Sequence, residues 1–154
     1  MPLITVKVRM AKTRRVQNLA RTLMPDARPV LQRTKLMLKN TISWLPVALC
    51  MGLIFYVSSV PGKEIPPLFD YQDIVYHIII YLILAYFFAR ALRKTYLGLS
   101  IQKVIIFTLV FGIFYAITDE LHQSFVPNRT VSSFDVFIDG VGSLFGGLLC
   151  RLQM

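Results

Sequence analysis

The sequence predicts an all-α integral membrane protein: a four-helix bundle preceded by a basic N-terminal amphipathic or flexible tail. Three observations carry this expectation. With 55% hydrophobic residues and a mean hydropathy of +0.59, the chain is too apolar for an ordinary soluble domain of 154 residues. Four apolar runs, Trp44 to Ser59, Ile74 to Ala89, Val104 to Ile117 and Val136 to Cys150, are divided by polar connections. The net charge of +9 is concentrated in a few places rather than spread. About 20 residues cross a bilayer, and each run reaches that length once its polar flanks join the helix. The predicted spans are 41–60, 74–94, 103–125 and 133–152.

Residues 1–40 form the first segment and hold ten of the 17 basic residues, from Lys7 to Lys39. Beside a membrane span, such a tail signals cytoplasmic retention and attraction to anionic lipid rather than nucleic acid. Val16, Leu19, Ala20, Leu23 and Met24 recur at helical spacing, with Arg14, Arg15 and Arg21 elsewhere on the wheel. This reads as a basic amphipathic helix on the inner leaflet, the alternative being a disordered tether. Pro25 and Pro29 are expected to separate it from the first span. No cleavable signal peptide is visible before Thr41, so the first span is read as a signal anchor.

With the N-terminus in the cytoplasm, four spans return the C-terminus there. Arg90, Arg93, Lys94, Lys103 and Arg151 then join the tail inside, and only Lys63 and Arg129 remain outside. The acids sort the other way. Glu64, Asp70, Asp73, Asp119, Glu120, Asp135 and Asp139 lie outside, and Asp26 inside.

The first connection runs from Ser58 to Pro67. Its three prolines and one glycine cannot continue a helix, so an external loop is expected, stiffened by Pro66-Pro67. Phe69, Tyr71 and Tyr76 resemble an interfacial aromatic belt. Pro127 is expected to end the third helix, and Ser132 or Ser133 to cap the fourth, with Ser132-x-x-Asp135 a loose capping box. Cys50 and Cys150 lie in apolar runs and read as small hydrophobes without a disulfide.

Ionisable groups near membrane depth are costly, which marks them as candidates for function. Asp73 and His77 share a face at the start of the second span, with Tyr81 one turn deeper. Asp119, Glu120, His122 and Gln123 crowd the end of the third. Asp135 and Asp139 open the fourth, and that face continues into Gly142 and Gly146, a Gly-x-x-x-Gly pattern for close helix approach. Three polar helix ends meet at the outer level, with Arg129 on the hairpin between two of them. Simpler roles exist for the same residues. Asp73 and Asp135 suit helix caps, His122 a hydrogen-bonded interfacial side chain, and Gly140, Gly142, Gly146 and Gly147 packing.

These residues resemble the VanZ-like membrane proteins over about 42–150. The resemblance rests on Asp73-x-x-x-His77-x-x-x-Tyr81, Ser58-Ser59, Asp119-Glu120-x-His122-Gln123, Pro127-x-Arg129 and Asp135-x-x-x-Asp139-x-x-Gly142-x-x-x-Gly146. The family name comes from a protein linked to low-level resistance to the glycopeptide teicoplanin. The resemblance implies a small integral membrane protein of the cell envelope. It leads one to expect Asn where this chain has Asp139, and it leaves the basic tail outside.

The candidate ligand-binding residues are Asp73, His77, Asp119, Glu120, Gln123, Arg129, Asp135 and Asp139. The leading expectation is a protein that binds a lipid headgroup or envelope-associated ligand at this outer site, with membrane lipids as partners. Arg129 would grip phosphate or carboxylate, and the excess acids would receive an amine or a metal. Two alternatives stay open. One is a hydrolase or transferase acting on a lipid-linked substrate, with His77 or His122 as acid or base. The other is a structural partner or a small transporter, the latter requiring a homo-oligomer because four spans leave little room for a pore.

Overall fold

The structure is a computed structural model and describes residues 14–19, 22, 27–64, 66 and 68–152. Helix is the dominant element, and no strand occurs among the described residues. Five longer helices succeed one another: α1, Ala27–Ser43; α2, Leu45–Ser58; α3, Gln72–Thr95; α4, Ile101–Gln123; and α5, Ser133–Leu152. A single 3-10 turn, Gly62–Glu64, interrupts the connection after α2. Among the described residues, four stretches are long and apolar enough to cross a membrane: Pro29–Ser58, Gln72–Thr95, Ile101–Gln123 and Ser133–Leu152. The protein is therefore a multi-pass membrane protein. The chain divides into two units, Met1–Lys39 and Asn40–Met154.

The first of these stretches includes a helical lead-in, α1, which carries Arg33, Lys35 and Lys39 ahead of the predicted 41–60 span. Pro29 sits in the first turn of α1, where a missing N–H costs nothing. The discontinuity comes at Trp44, between α1 and α2. Pro46 lies at the start of α2 and has no N–H to continue the ladder. The Trp44 amide turns back to the Thr41 carbonyl at 3.1 Å, a tightened last turn. In the tail, 14–19 are helical, and Val16 and Leu19 are exposed. Ala20, Leu23, Met24 and Pro25 lie outside the described residues, as does Pro67 of the loop.

Within 40–154, α3 runs through the middle of the core. Tyr81, Leu84, Ala85, Ala89 and Ala91 along it are fully or almost fully buried. The α3–α5 seam is made by glycine. A Cβ on Gly142 would come within 2.6 Å of the Ile78 carbonyl oxygen, and one on Gly146 within 2.7 Å of the Ala85 Cβ. The Gly-x-x-x-Gly stripe thus lets two backbones touch, as its spacing predicts. On the opposite side, α2 contributes Val47 and Ile54 to the core, together with Tyr81 and Ala116. Tyr115 of α4 donates its hydroxyl to the Met51 carbonyl of α2 at 2.7 Å. Toward the 96–100 connection, Trp44 Nε1 donates to Thr95 Oγ1 at 3.0 Å, and Phe88 stacks on Phe111 with centroids 4.0 Å apart.

Helix ends are set by local chemistry. Ser100 caps α4 weakly, accepting from the Lys103 amide at 3.5 Å. Ser132 accepts from the Asp135 amide at 3.3 Å, the cap predicted for α5. Helix α4 ends at Gln123, before Pro127 rather than at it, and the turn toward α5 uses Asn128 at φ 59°. Asn tolerates that left-handed conformation. Tyr71 adopts φ 61° at the start of α3. It is held there by Gln72, which accepts from the Leu68 amide and donates to the Pro66 carbonyl. Asp73 is therefore not the cap but an exposed first-turn residue. Cys50 and Cys150 are free thiols.

Candidate functional site

The helix ends bordering the 59–71 and 124–132 connections hold most of the buried polar groups. Asp139 is wholly buried on α5, and its Oδ1 lies 2.9 Å from His77 Nδ1 on α3. The glycine seam makes this pairing possible. Gly142, one turn below Asp139, brings α5 against Ile78, next to His77. Asp139 stands where the family resemblance leads one to expect Asn, and a histidine supplies the partner that a buried carboxylate requires. Among the described residues its second oxygen, Oδ2, has no hydrogen-bond partner; nor do Glu120 Oε1, Tyr81 OH and Ser143 Oγ. Buried polar atoms normally find partners; of these four residues Tyr81 lines the cavity between α2, α3 and α4, and Ser143 is packed against Gly112.

The acids on α4 are engaged differently. Gln123 Nε2 donates to Asp119 Oδ2 at 3.0 Å, an i, i+4 pair on one face. Glu120 Oε2 accepts from the Ser132 amide at 2.8 Å, across the hairpin. Asp135 and Glu120 are both within electrostatic range of His77. Asp139, Asp119 and Glu120 are likewise within range of Tyr81. The candidate residues His77, Asp119, Glu120, Gln123, Asp135 and Asp139 therefore gather in one neighbourhood. Asp73 is exposed, with no hydrogen bond to the others among the described residues.

Arg129 forms no ion pair with the carboxylates among the described residues. Its Nε donates to the Val60 carbonyl at 3.0 Å and its Nη2 to the Val57 carbonyl at 2.8 Å. These are carbonyls at the end of α2, where a helix leaves acceptors unsatisfied. The same two connections meet again where the Gly62 amide donates to the Pro127 carbonyl at 3.3 Å. A side chain at Gly62 would collide with the Asn128 carbonyl, so glycine is required at this crossing. Ser59 Oγ lies 3.0 Å from His122 Nε2, and Phe55 stacks on the same imidazole at 4.4 Å. His122 is thus hydrogen-bonded and stacked by α2 and the residue that follows it.

A cavity of about 370 Å³ opens between α2, α3 and α4. Its walls are mostly apolar, including Leu53, Val57, Ile79 and Ile83. Its polar lining is His77, Asp119, Gln123 and Arg129, with Ser58 and Tyr81 beside them. Among the described residues no group of three or more His, Cys, Asp or Glu is arranged to hold a metal ion.

The model of one protein family, VanZ/LLP1, matches residues 22–153. The chain belongs to the VanZ/LLP1 family. The match reaches well before residue 42 and so takes in the later part of the basic tail, which the motif residues alone leave outside. No match is found among curated proteins or among solved structures. VanZ/LLP1 membership and the four apolar helices agree on a VanZ-like membrane protein.

Several contributors to this region carry no sequence signal. The Val57 and Val60 carbonyls that hold Arg129 belong to the backbone, and any residue there would supply them. Ser143 is fully buried against Gly112 on α4. A serine in an apolar run gives no hint of that contact.

Proposed function

We propose that this VanZ/LLP1 protein binds an amphiphilic, lipid-linked ligand of the cell envelope in the α2–α3–α4 cavity, on the outer side of the membrane. The observation that carries the reading is the composition of that cavity. A long apolar wall ends in His77, Asp119, Gln123 and Arg129. Pockets for amphiphiles combine such a wall with a few orienting polar groups. An acyl or prenyl chain would lie along Leu53, Ile79 and Ile83, and the headgroup would reach the polar end. Arg129 spends Nε and Nη2 on carbonyls, while its Nη1 makes no hydrogen bond among the described residues and is left for a phosphate or carboxylate oxygen. Asp119 offers an acceptor to an amine or hydroxyl.

The test is to purify the full-length protein in detergent and identify the lipids it retains by mass spectrometry. Ile79→Trp fills the apolar wall and Asp119→Asn removes the acceptor charge. Both variants are expected to lose a lipid species enriched by the parent protein while retaining bulk phospholipid. Identical lipid profiles in all three would end the proposal.

The outer placement rests on the basic residues, which leave only Lys63 and Arg129 on the cavity side. Single cysteines at Gly98 and Asn128 in a background without Cys50 and Cys150 test it. A membrane-impermeant maleimide applied to intact cells should label position 128 and spare 98. The reverse pattern would turn the cavity to the cytoplasm.

A second reading, an acid–base hydrolase or transferase acting on the bound species, has one observation in its favour. Asp139 holds His77 at Nδ1, and the imidazole borders the cavity. That is the base-and-orienter arrangement of many hydrolytic sites. Conversion of a retained lipid that stops in His77→Gln would move the assignment from binder to enzyme.

A further inference from the structure

The opposite end of the bundle carries a second concavity with a different chemistry. A cavity of about 400 Å³ lies between the end of α3, the 96–100 connection and the end of α5. Arg90, Arg93 and Lys94 line it, and no acidic side chain among the described residues does. Arg93 donates to the Cys150 carbonyl at 3.3 Å, which satisfies the end of α5 and holds the guanidinium against that helix. Arg90 lies over the Tyr86 ring, 5.5 Å from its centroid, and donates to the Tyr86 hydroxyl at 2.9 Å. Both guanidiniums are therefore oriented by the protein. Among the described residues, no carboxylate lies within 4.0 Å of Arg90, Arg93 or Lys94. Three cations line one cavity with no carboxylate beside them among the described residues.

Next to this cavity is an apolar groove of about 540 Å³ between α3 and α4, with Phe107, Phe111 and Phe114 along its α4 wall. Tyr96 and Leu99 border both spaces. A basic pocket and an aromatic groove thus share one rim.

We propose that this end of the bundle binds an anionic phospholipid, its phosphate held by Arg90, Arg93 and Lys94 and an acyl chain lying in the aromatic groove. Charge complementarity favours this occupant. A phosphodiester supplies the negative charge that the described residues do not, and arginine meets its oxygens in a forked geometry. Basic pockets between transmembrane helices are suited to such headgroups. A soluble phosphate would satisfy the cations equally but would leave the groove unused. This site is separate from the α2–α3–α4 cavity, and either proposal can fail without the other.

The experiment uses the full-length protein in nanodiscs of phosphatidylcholine doped with phosphatidylglycerol, and native mass spectrometry counts bound anionic lipid. Two double variants carry the same loss of net charge. Arg90→Gln/Lys94→Gln empties the pocket, whereas Lys103→Gln/Arg151→Gln removes two exposed charges that do not line it. Phosphatidylglycerol binding should fall about thirty-fold in the first and hold in the second, since two cations near the phosphate are lost. Equal losses in both would reduce the effect to diffuse surface charge and overturn the proposal. So would equal retention of phosphatidylcholine and phosphatidylglycerol by the parent protein. Displacement by glycerol 3-phosphate at lipid-like concentrations would also overturn it, by showing a soluble-anion site. Lys94 is exposed and makes no hydrogen bond among the described residues, so Lys94→Gln alone keeps the test valid if the double variant misfolds.

Discussion

Helix α3 meets its two neighbours in opposite ways. Against α5 it is joined through Gly142 and Gly146, so that a methyl group at either position would strike the backbone or Cβ of α3. Against α2 it is joined through large side chains, Ile54 and Tyr81 among them, and a cavity of about 370 Å³ remains beside that contact. The close seam buries a histidine–aspartate pair; the looser one leaves space that apolar and polar groups share. Two helix contacts in one small bundle thus serve different ends. Small residues exclude solvent and lipid, and large branched ones, meeting at fewer points, leave a hole.

The strongest way to break this contrast is to thicken the close seam. Gly146→Leu would drive a side chain into the Leu82 carbonyl and the Ala85 methyl, and backbone cannot swing aside as a flexible side chain can. Overpacking costs about 1–3 kcal/mol in ordinary cores and more where backbone is the obstacle. The expected result is loss of monodisperse protein on size exclusion. Gly52→Ala on α2 is the matched control, since nothing lies within 4 Å of a Cβ there. It should leave yield and thermal midpoint unchanged. Equal tolerance of both changes would show that the seam is not set by glycine.

The next effect is smaller and concerns the pair the seam buries. His77→Ala leaves Asp139 wholly enclosed without its partner, a loss of about 3–5 kcal/mol if the carboxylate remains charged. Asp139→Asn keeps a hydrogen-bonding group facing His77 and should cost less. Thermal unfolding in detergent ranks the two. An Asp139→Asn variant less stable than His77→Ala would contradict the pairing as the reason for Asp139.

The smallest effect belongs to the far edge of the looser seam. Arg129→Ala gives up two hydrogen bonds to the end of α2, about 1–3 kcal/mol for partly exposed charged donors. Arg129→Lys can restore one contact but not the fork. Stability should therefore fall in the order parent, Lys, Ala, as read by thermal midpoint. If both variants stay as stable as the parent but lose the retained lipid, Arg129 acts on ligand rather than on the crossing of the two connections.

Much of the architecture was legible in the residues. The four apolar runs, the Ser132 cap and the Gly-x-x-x-Gly stripe depend on hydropathy, side-chain hydrogen bonding and size, all of which the sequence states directly. Less legible was that helix already begins at Ala27, ahead of the first span. In the first turn of a helix proline is harmless, and only Pro46, two residues past Trp44, interrupts the ladder. At the candidate site, level and composition were legible from three helix ends rich in acids, but the partners were not. His77 chooses Asp139, on another helix, and Arg129 passes over the nearby acids for two backbone carbonyls.

The sequence by itself determined that this chain spans a membrane, that its charge is divided between two ends, and that its acidic groups cluster at one of them. Those are properties of composition and order along the chain, and they hold for any packing of the helices. Tertiary structure alone decided which acid is buried with a histidine, which helix contact is closed and which is left open. Those outcomes depend on distances between residues more than sixty positions apart, such as His77 and Asp139 or Arg129 and Val57. No local spacing encodes them; they depend on how closely each pair of helices can approach, which small residues permit and bulky ones prevent.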